Sequence, residues 1–265
     1  VVCGRGEDGV AIATVISQVI SAALIVRCLV KSDGMYRLNL SMLKLHRQKV
    51  IQIARIGLPA GFQGAIFSIS NVLIQSSVNS FGSIAMAGNT AASNIEGFIY
   101  TCMNAVYQTS LSFTSQNLGA GKIKRISRIL VECLVVVFLV GAVMGFLAYT
   151  FGAELLRIYS TDPEVIENGL HRMRVICQTY YLCGMMDVTV GALRGLGYSV
   201  MPMLVSLAGV CGVRIVWIFT AFVWSRSLFT LYISYPISWG ATFVIHLICF
   251  AVVYRKLKAR RGAQA

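Results

Sequence analysis

The sequence predicts an all-α bundle of membrane-spanning helices, and three observations carry that prediction. Of 265 residues, 57% are hydrophobic and only 12% are Asp, Glu, Lys or Arg, about half the charged share of an ordinary soluble domain. The mean hydropathy is +0.73. Apolar runs of bilayer-crossing length, about 20 residues, recur along the chain with Lys and Arg gathered between them. Disorder is excluded by the amount of apolar surface. The 8 Cys are scattered, with no CxxC and no metal-ligand spacing, so a disulfide scaffold and a zinc site are excluded as well.

Charge-free stretches place seven spans. Gly9–Val26 is the first and ends at Arg27 and Lys31. Ile56–Ile95 is long enough for one helix, a turn at Phe81-Gly82-Ser83 and part of a second, which runs past Glu96 to about Gln116. Cys133–Ala153, Glu164–Arg194, Ser199–Val223 and Ser227–Tyr254 complete the set. Gly119-Ala120-Gly121, Asp162-Pro163 and Gly195-Leu196-Gly197 read as connections. Pro59 and Pro202 are expected in first turns, where proline costs no helical hydrogen bond. Pro236 falls inside the last span.

The net charge of +13, from 23 Lys and Arg against 10 Asp and Glu, reads as topology. No basic stripe alternates with aromatics, so nucleic acid is not an expected partner. Segment 31–55 (Lys31, Arg37, Lys44, Arg47, Lys49, Arg55), connection 119–128, the connection at Arg194 and the C-terminal tail carry the basic residues. The positive-inside rule makes these cytoplasmic in a multi-pass cell-membrane protein. Loop 82–88 is uncharged and 152–168 is acidic, as expected outside. The start at Val1, without Met or a signal peptide, suggests the C-terminal part of a longer protein.

Ionisable groups inside hydrocarbon are costly and mark functional candidates. Glu96 and Asp187 are the two carboxylates deep in spans. Glu96 sits on a polar stripe of Asn89, Ser93, Tyr100, Asn104, Tyr107 and Gln108 at helical spacing. Asn71, Gln75 and Asn79, each four apart, form a second row that reads equally as interhelical glue or as a cavity wall. Asp187 shares a face with Tyr180, Gly184, Gly191 and Arg194. Arg214, inside the next span, is the expected counter-charge for either carboxylate, or else snorkels to an interface. Glu132 reads as an i,i+4 partner of Arg128, and His246 as a packed, hydrogen-bonded core residue. Gly57, Gly61, Gly141 and Gly145 read as close-packing positions. No phosphate loop, HExxH or nucleophile elbow is present, so an enzyme is not expected.

Three motifs in order carry a family resemblance: Arg55-Ile-Gly-Leu-Pro-Ala-Gly61, Phe113-Thr-Ser-Gln-Asn-Leu-Gly-Ala-Gly121 and Gly191-Ala-Leu-Arg-Gly-Leu-Gly-Tyr-Ser-Val-Met-Pro202. Over residues 10–258 the chain resembles the multidrug and toxic compound extrusion (MATE) transporters. The resemblance implies a twelve-helix, two-lobe fold with a central cleft, exchanging organic cations for H⁺ or Na⁺ with no other cofactor. On that map residues 1–31 contain the last helix of an N-terminal lobe, 32–55 a cytoplasmic linker, 56–256 a six-helix C-terminal lobe and 257–265 a basic tail. The partners implied are small cationic substrates, the bilayer and an N-terminal lobe that this chain lacks. The sequence departs from many family members, because its first C-terminal-lobe helix carries no acid.

The expected mechanism follows. An anionic Glu96 attracts a cationic substrate, Tyr100, Tyr107 and Tyr180 offer aromatic faces, and protonation releases the cargo. Asp187 is the second candidate for exchange, with Arg214 tuning it if they meet. Alternatives are a lipid-linked oligosaccharide flippase of the same two-lobe plan, which needs a more cationic cavity, and a seven-span receptor.

Overall fold

The computed structural model describes residues 6–34, 37–39 and 44–262. The stretch 1–5, part of the linker and the end of the basic tail lie outside the described residues, as do the side chains of Arg260 and Arg261. The chain falls into two compact units, Val1–Gln52 and Ile53–Ala265, each taken by itself.

In the first unit, α1 (Gly6–Lys31) ends on Lys31, a basic residue in its last turn. Its large apolar side chains, from Ile12 to Val26, are exposed, as suits a helix whose solvent is lipid. After it the chain doubles back, with the Leu38 N–H donating to the Leu29 carbonyl.

Among the described residues, the regular structure of the second unit is helical. It takes in most of α2 (Arg47–Asn79), then α3 (Ser83–Gly119), α4 (Ile123–Thr150), the short α5 (Gly152–Arg157) and α6 (Pro163–Gly195). A broken rod follows: α7 (Val200–Ser206), a π-helical turn at Leu207–Gly212, α8 (Val213–Phe219) and α9 (Ala221–Trp224). The last helix is α10 (Leu228–Gly262). The α-helical membrane bundle expected from composition is therefore the observed fold.

Five helical segments are long and apolar enough to cross a bilayer among the described residues, against seven expected spans. The two long helices that fall short are α3, which carries Glu96, and α6, which carries Arg172 and Asp187. Both are central in the second unit, and α6 packs against α3, α4 and α10. Their hydropathy is lowered by the buried charges Glu96 and Arg172 and by exposed polar residues such as Asn94, Gln108, Glu167 and Gln178.

Local chemistry sets the ends. Asp162 caps α6, its Oδ1 accepting from the Glu164 N–H at 2.9 Å, with Pro163 in the first turn. After α6 the chain turns at Gly197, whose φ of +87° is a left-handed conformation that favours glycine. The turn expected at 81–83 is found at 80–82, between α2 and α3, with Gly82 at a φ of +98°.

The first helix of the second unit begins earlier than expected. Residues 47–55 are helical, because Arg47-Gln-Lys-Val-Ile-Gln-Ile-Ala-Arg55 is rich in good helix formers that its basic charge had marked as loop. Pro59 accordingly lies inside α2 and not in its first turn. The glycines divide. A Cβ on Gly141 would come within 2.8 Å of the Tyr181 Cα, and one on Gly145 would collide with the Cys177 carbonyl, so this small-xxx-small pair seats α4 on α6. Gly57 and Gly61 have nothing within 4 Å among the described residues and do not pack closely. The Arg128–Glu132 pair forms at 2.8 Å on the exposed side of α4.

Candidate functional site

A cavity of about 480 Å³ lies within the second unit. Helical periodicity explains which side chains reach it. On α3, Ser93, Glu96 and Tyr100 are spaced three and four apart, and on α6 so are Tyr180, Cys183 and Asp187. On α10, Tyr235 and Trp239 are one turn apart, and α2 contributes Asn71 and Gln75. Val210 and Cys211 come from the π-helical turn, and Arg214 follows one residue into α8. Such turns change the register of the helix beyond them and are frequent at functional sites.

Of the residues singled out from the sequence, Glu96, Asp187, Asn71, Gln75, Tyr100, Tyr180 and Arg214 all line this cavity. Asn89 stands behind the wall, Tyr107 lies further along α3, and Asn104 is half-buried with no hydrogen bond among the described residues.

The strongest interaction involves a residue that sequence reasoning missed. Arg172 donates from Nε to Glu96 Oε1 at 2.9 Å and from Nη2 to Oε2 at 2.7 Å. Its Nη1 donates to Asn89 Oδ1 at 2.8 Å. The Tyr232 hydroxyl also donates to Asn89 Oδ1, at 3.3 Å. The Asn89 amide donates to Gln75 Oε1 at 2.7 Å, and Gln75 donates to Asn79 at 3.0 Å. A single polar chain thus ties α2, α3, α6 and α10. Gln75 both bridges α2 to α3 and lines the cavity beside Asn71, while Asn79 is bonded to Gln75 within α2.

Arg172 engages both oxygens of Glu96, and the expected Glu96–Arg214 pairing does not form among the described residues. Arg214 is instead 4% exposed and faces α10. Its Nε donates to Ser238 Oγ at 3.1 Å, and its guanidinium lies 4.1 Å from the Tyr235 ring centre and 5.5 Å from that of Trp239. It is buried, so it does not snorkel. Arg214 and Asp187 form no ion pair among the described residues, because Arg214 is drawn to the α10 aromatics.

Two other polar groups serve structure. Arg194 donates to the Tyr107 hydroxyl and to Gln63 Oε1, both at 2.8 Å, binding α6 to α3 and α2. Tyr107 is held there and is absent from the cavity wall. His246 Nε2 lies 3.3 Å from the Pro202 carbonyl and is fully buried, as expected of a packed histidine.

The signal for Arg172 was present. It lies two helical turns before Tyr180 on the face already assigned to Asp187, but it sits in the charged run His171-Arg172-Met173-Arg174 and so resembled a span end. The α10 aromatics Tyr232, Tyr235 and Trp239 fall at spacings of three and four, a pattern equally expected of core packing.

Comparison with known proteins places this architecture. A family model described as MatE matches residues 59–220, more than half of the chain. The probable multidrug resistance protein YoeA of Bacillus subtilis (strain 168) is 21% identical over 266 residues, covering 98% of this chain and 57% of the relative. The probable multidrug resistance protein NorM of Thermotoga maritima is 22% identical over 211 residues, covering 79% and 45%. The chain therefore spans about half the length of the curated relatives it matches. Among solved structures, MATE in complex with MaL6 superposes with a TM-score of 0.87 at 16% identity, covering 97% of this chain and 59% of that one. An outward-facing multidrug resistance MATE family transporter of the MOP superfamily superposes at 0.85 and 18% identity, covering 97% and 58%. At these identities the superpositions show a shared fold. The family match, which covers more than half of the chain, identifies it as a member of the MatE family.

Proposed function

We propose that this chain forms one lobe, with the last helix of the other, of a cell-membrane transporter that exports small positively charged organic molecules in exchange for H⁺ or Na⁺. The observation that carries the reading is the cavity itself: about 480 Å³, lined by Glu96, Asp187, Arg172 and Arg214, inside a bundle otherwise built to face lipid. Charged groups at such a position mark substrate and ion pathways. The names of the relatives point the same way.

Within this reading the exchanging carboxylate is Asp187 rather than Glu96. Both oxygens of Glu96 are held by Arg172. Asp187 lines the cavity and makes no hydrogen bond or ion pair among the described residues. An anionic Asp187 takes the substrate's cationic group, and binding of H⁺ or Na⁺ displaces it. Tyr100 and Tyr180 supply ring faces beside it. Rocking of this lobe against its counterpart carries the exchange across the membrane. The basic segments 31–55, 119–128 and the tail lie on the cytoplasmic side.

Reconstituting the full-length protein in liposomes and imposing a pH or Na⁺ gradient tests this. Gradient-driven movement of a fluorescent organic cation is expected. Equal dye movement with and without the protein, under both gradients, would contradict the proposal.

A further inference from the structure

We propose that a second groove, at the α4–α5 end of the bundle, holds the headgroup of an anionic phospholipid, with the phosphate taken by Arg174 and Arg226. The groove has a volume of about 850 Å³ and shares no lining residue with the charged cavity. His171, Arg174 and Gln178 of α6 line it, with Arg226 from the connection before α10 and Phe229 and Ile233 from α10 itself. Both arginines are exposed, and neither forms an ion pair among the described residues. Glu167, one turn before His171, lies 3.8 Å from the His171 ring instead. The groove thus presents two guanidinium groups that no acid compensates among the described residues.

Packing fixes the depth of these groups. A Cβ on Gly152 would meet Leu170, one on Gly145 would meet Cys177 and one on Gly141 would meet Tyr181, so α4 and α6 run antiparallel. Arg174 and Gln178 therefore lie level with the last two turns of α4, where the exposed side chains before Thr150 are Val143, Phe146 and Leu147. Lipid that covers those apolar side chains reaches the same depth beside α6, where an uncovered guanidinium is costly. Trp224, 97% exposed and two residues before Arg226, is of the type that settles at the headgroup level. A phosphodiester at that level accepts from a guanidinium in its own plane. Its acyl chains cover Phe229, which is 63% exposed, and Ile233. A soluble anion would satisfy the arginines but leave this apolar side of the groove uncovered. A net-negative headgroup is favoured over a zwitterionic one, because an added ammonium group would be a third cation beside the two arginines. The inference needs the membrane bundle but not the transported cargo.

The probes are phosphatidylglycerol and phosphatidylcholine that carry the same photoactivatable diazirine near the carboxyl end of one acyl chain. Each is added in trace amount to phosphatidylcholine nanodiscs holding the full-length protein, and crosslinks are mapped by peptide mass spectrometry. Phosphatidylglycerol is expected to label residues 171–178 and 226–233 about tenfold more than phosphatidylcholine, the scale of one charge-assisted contact. Arg174→Gln combined with Arg226→Gln is expected to bring that ratio to about one. Arg174→Lys combined with Arg226→Lys keeps both charges and is expected to retain part of the preference. Only monodisperse protein is crosslinked, and the ratio of two probes on one preparation does not depend on the folded fraction. Inorganic phosphate in excess is expected not to compete. Equal labelling by the two lipids, a preference that survives the double Gln variant, or no labelling of these segments would overturn the lipid site. Loss of phosphatidylglycerol labelling on adding inorganic phosphate would show a site for a soluble anion instead, and would overturn it too.

Discussion

Arg172 on α6 closes a two-bond ion pair with Glu96 on α3, at 2.9 and 2.7 Å, and both side chains are almost wholly buried, 7% and 6% exposed. The pair converts what would be two costly isolated charges into one neutral unit, further satisfied by Asn89. It joins the two central helices through their buried charges.

Breaking that pair on one side leaves a buried charge alone. Arg172→Met is expected to destabilise the protein by about 3–5 kcal/mol. Glu96→Leu combined with Arg172→Met is expected to recover most of that loss, since an apolar pair of similar volume is tolerated. Thermal unfolding in detergent reads both. Additive losses in the double variant would show that the two residues are not coupled.

The seating of α4 on α6 is tested by volume. Gly145→Val drives a side chain into the backbone at Cys177 and is expected to cost about 1–3 kcal/mol or more. Gly57→Val, with nothing within 4 Å of the new Cβ among the described residues, is the control and is expected to unfold close to the wild type. Equal unfolding temperatures for the two variants would contradict the packing.

The proposed topology is tested by labelling. In a background free of native cysteines, Lys124→Cys and Lys258→Cys are expected to resist a membrane-impermeant maleimide added outside intact cells. Tyr159→Cys, in the opposite connection, is expected to react. Strong outside labelling at position 124 or 258 would invert the orientation.

Much of this architecture was legible because periodicity and charge are local properties. Tyr180 and Asp187 share a helical face by spacing alone, and the Asp162-Pro163 start of α6 announces itself by capping chemistry. The pairing of charges was not legible, because it depends on the order in which helices pack. Glu96 and Arg172 are 76 residues apart and meet only because α3 lies against α6. Arg214 was assigned a carboxylate partner on charge alone, but the π-helical turn before it and the aromatic face of α10 decide where it rests. Gly57 and Gly141 read alike in sequence and differ only in whether a neighbour is present.

The central claim is that Asp187, and not the more conspicuous Glu96, carries the exchange. Its most direct test is gradient-driven efflux of an organic cation by the full-length protein in liposomes, normalised to folded protein, for Asp187→Asn beside Glu96→Gln. The account predicts that Asp187→Asn folds and inserts but loses coupling to the gradient, while Glu96→Gln is less stable yet still coupled. Coupled efflux by Asp187→Asn, with loss of coupling in Glu96→Gln, would contradict it.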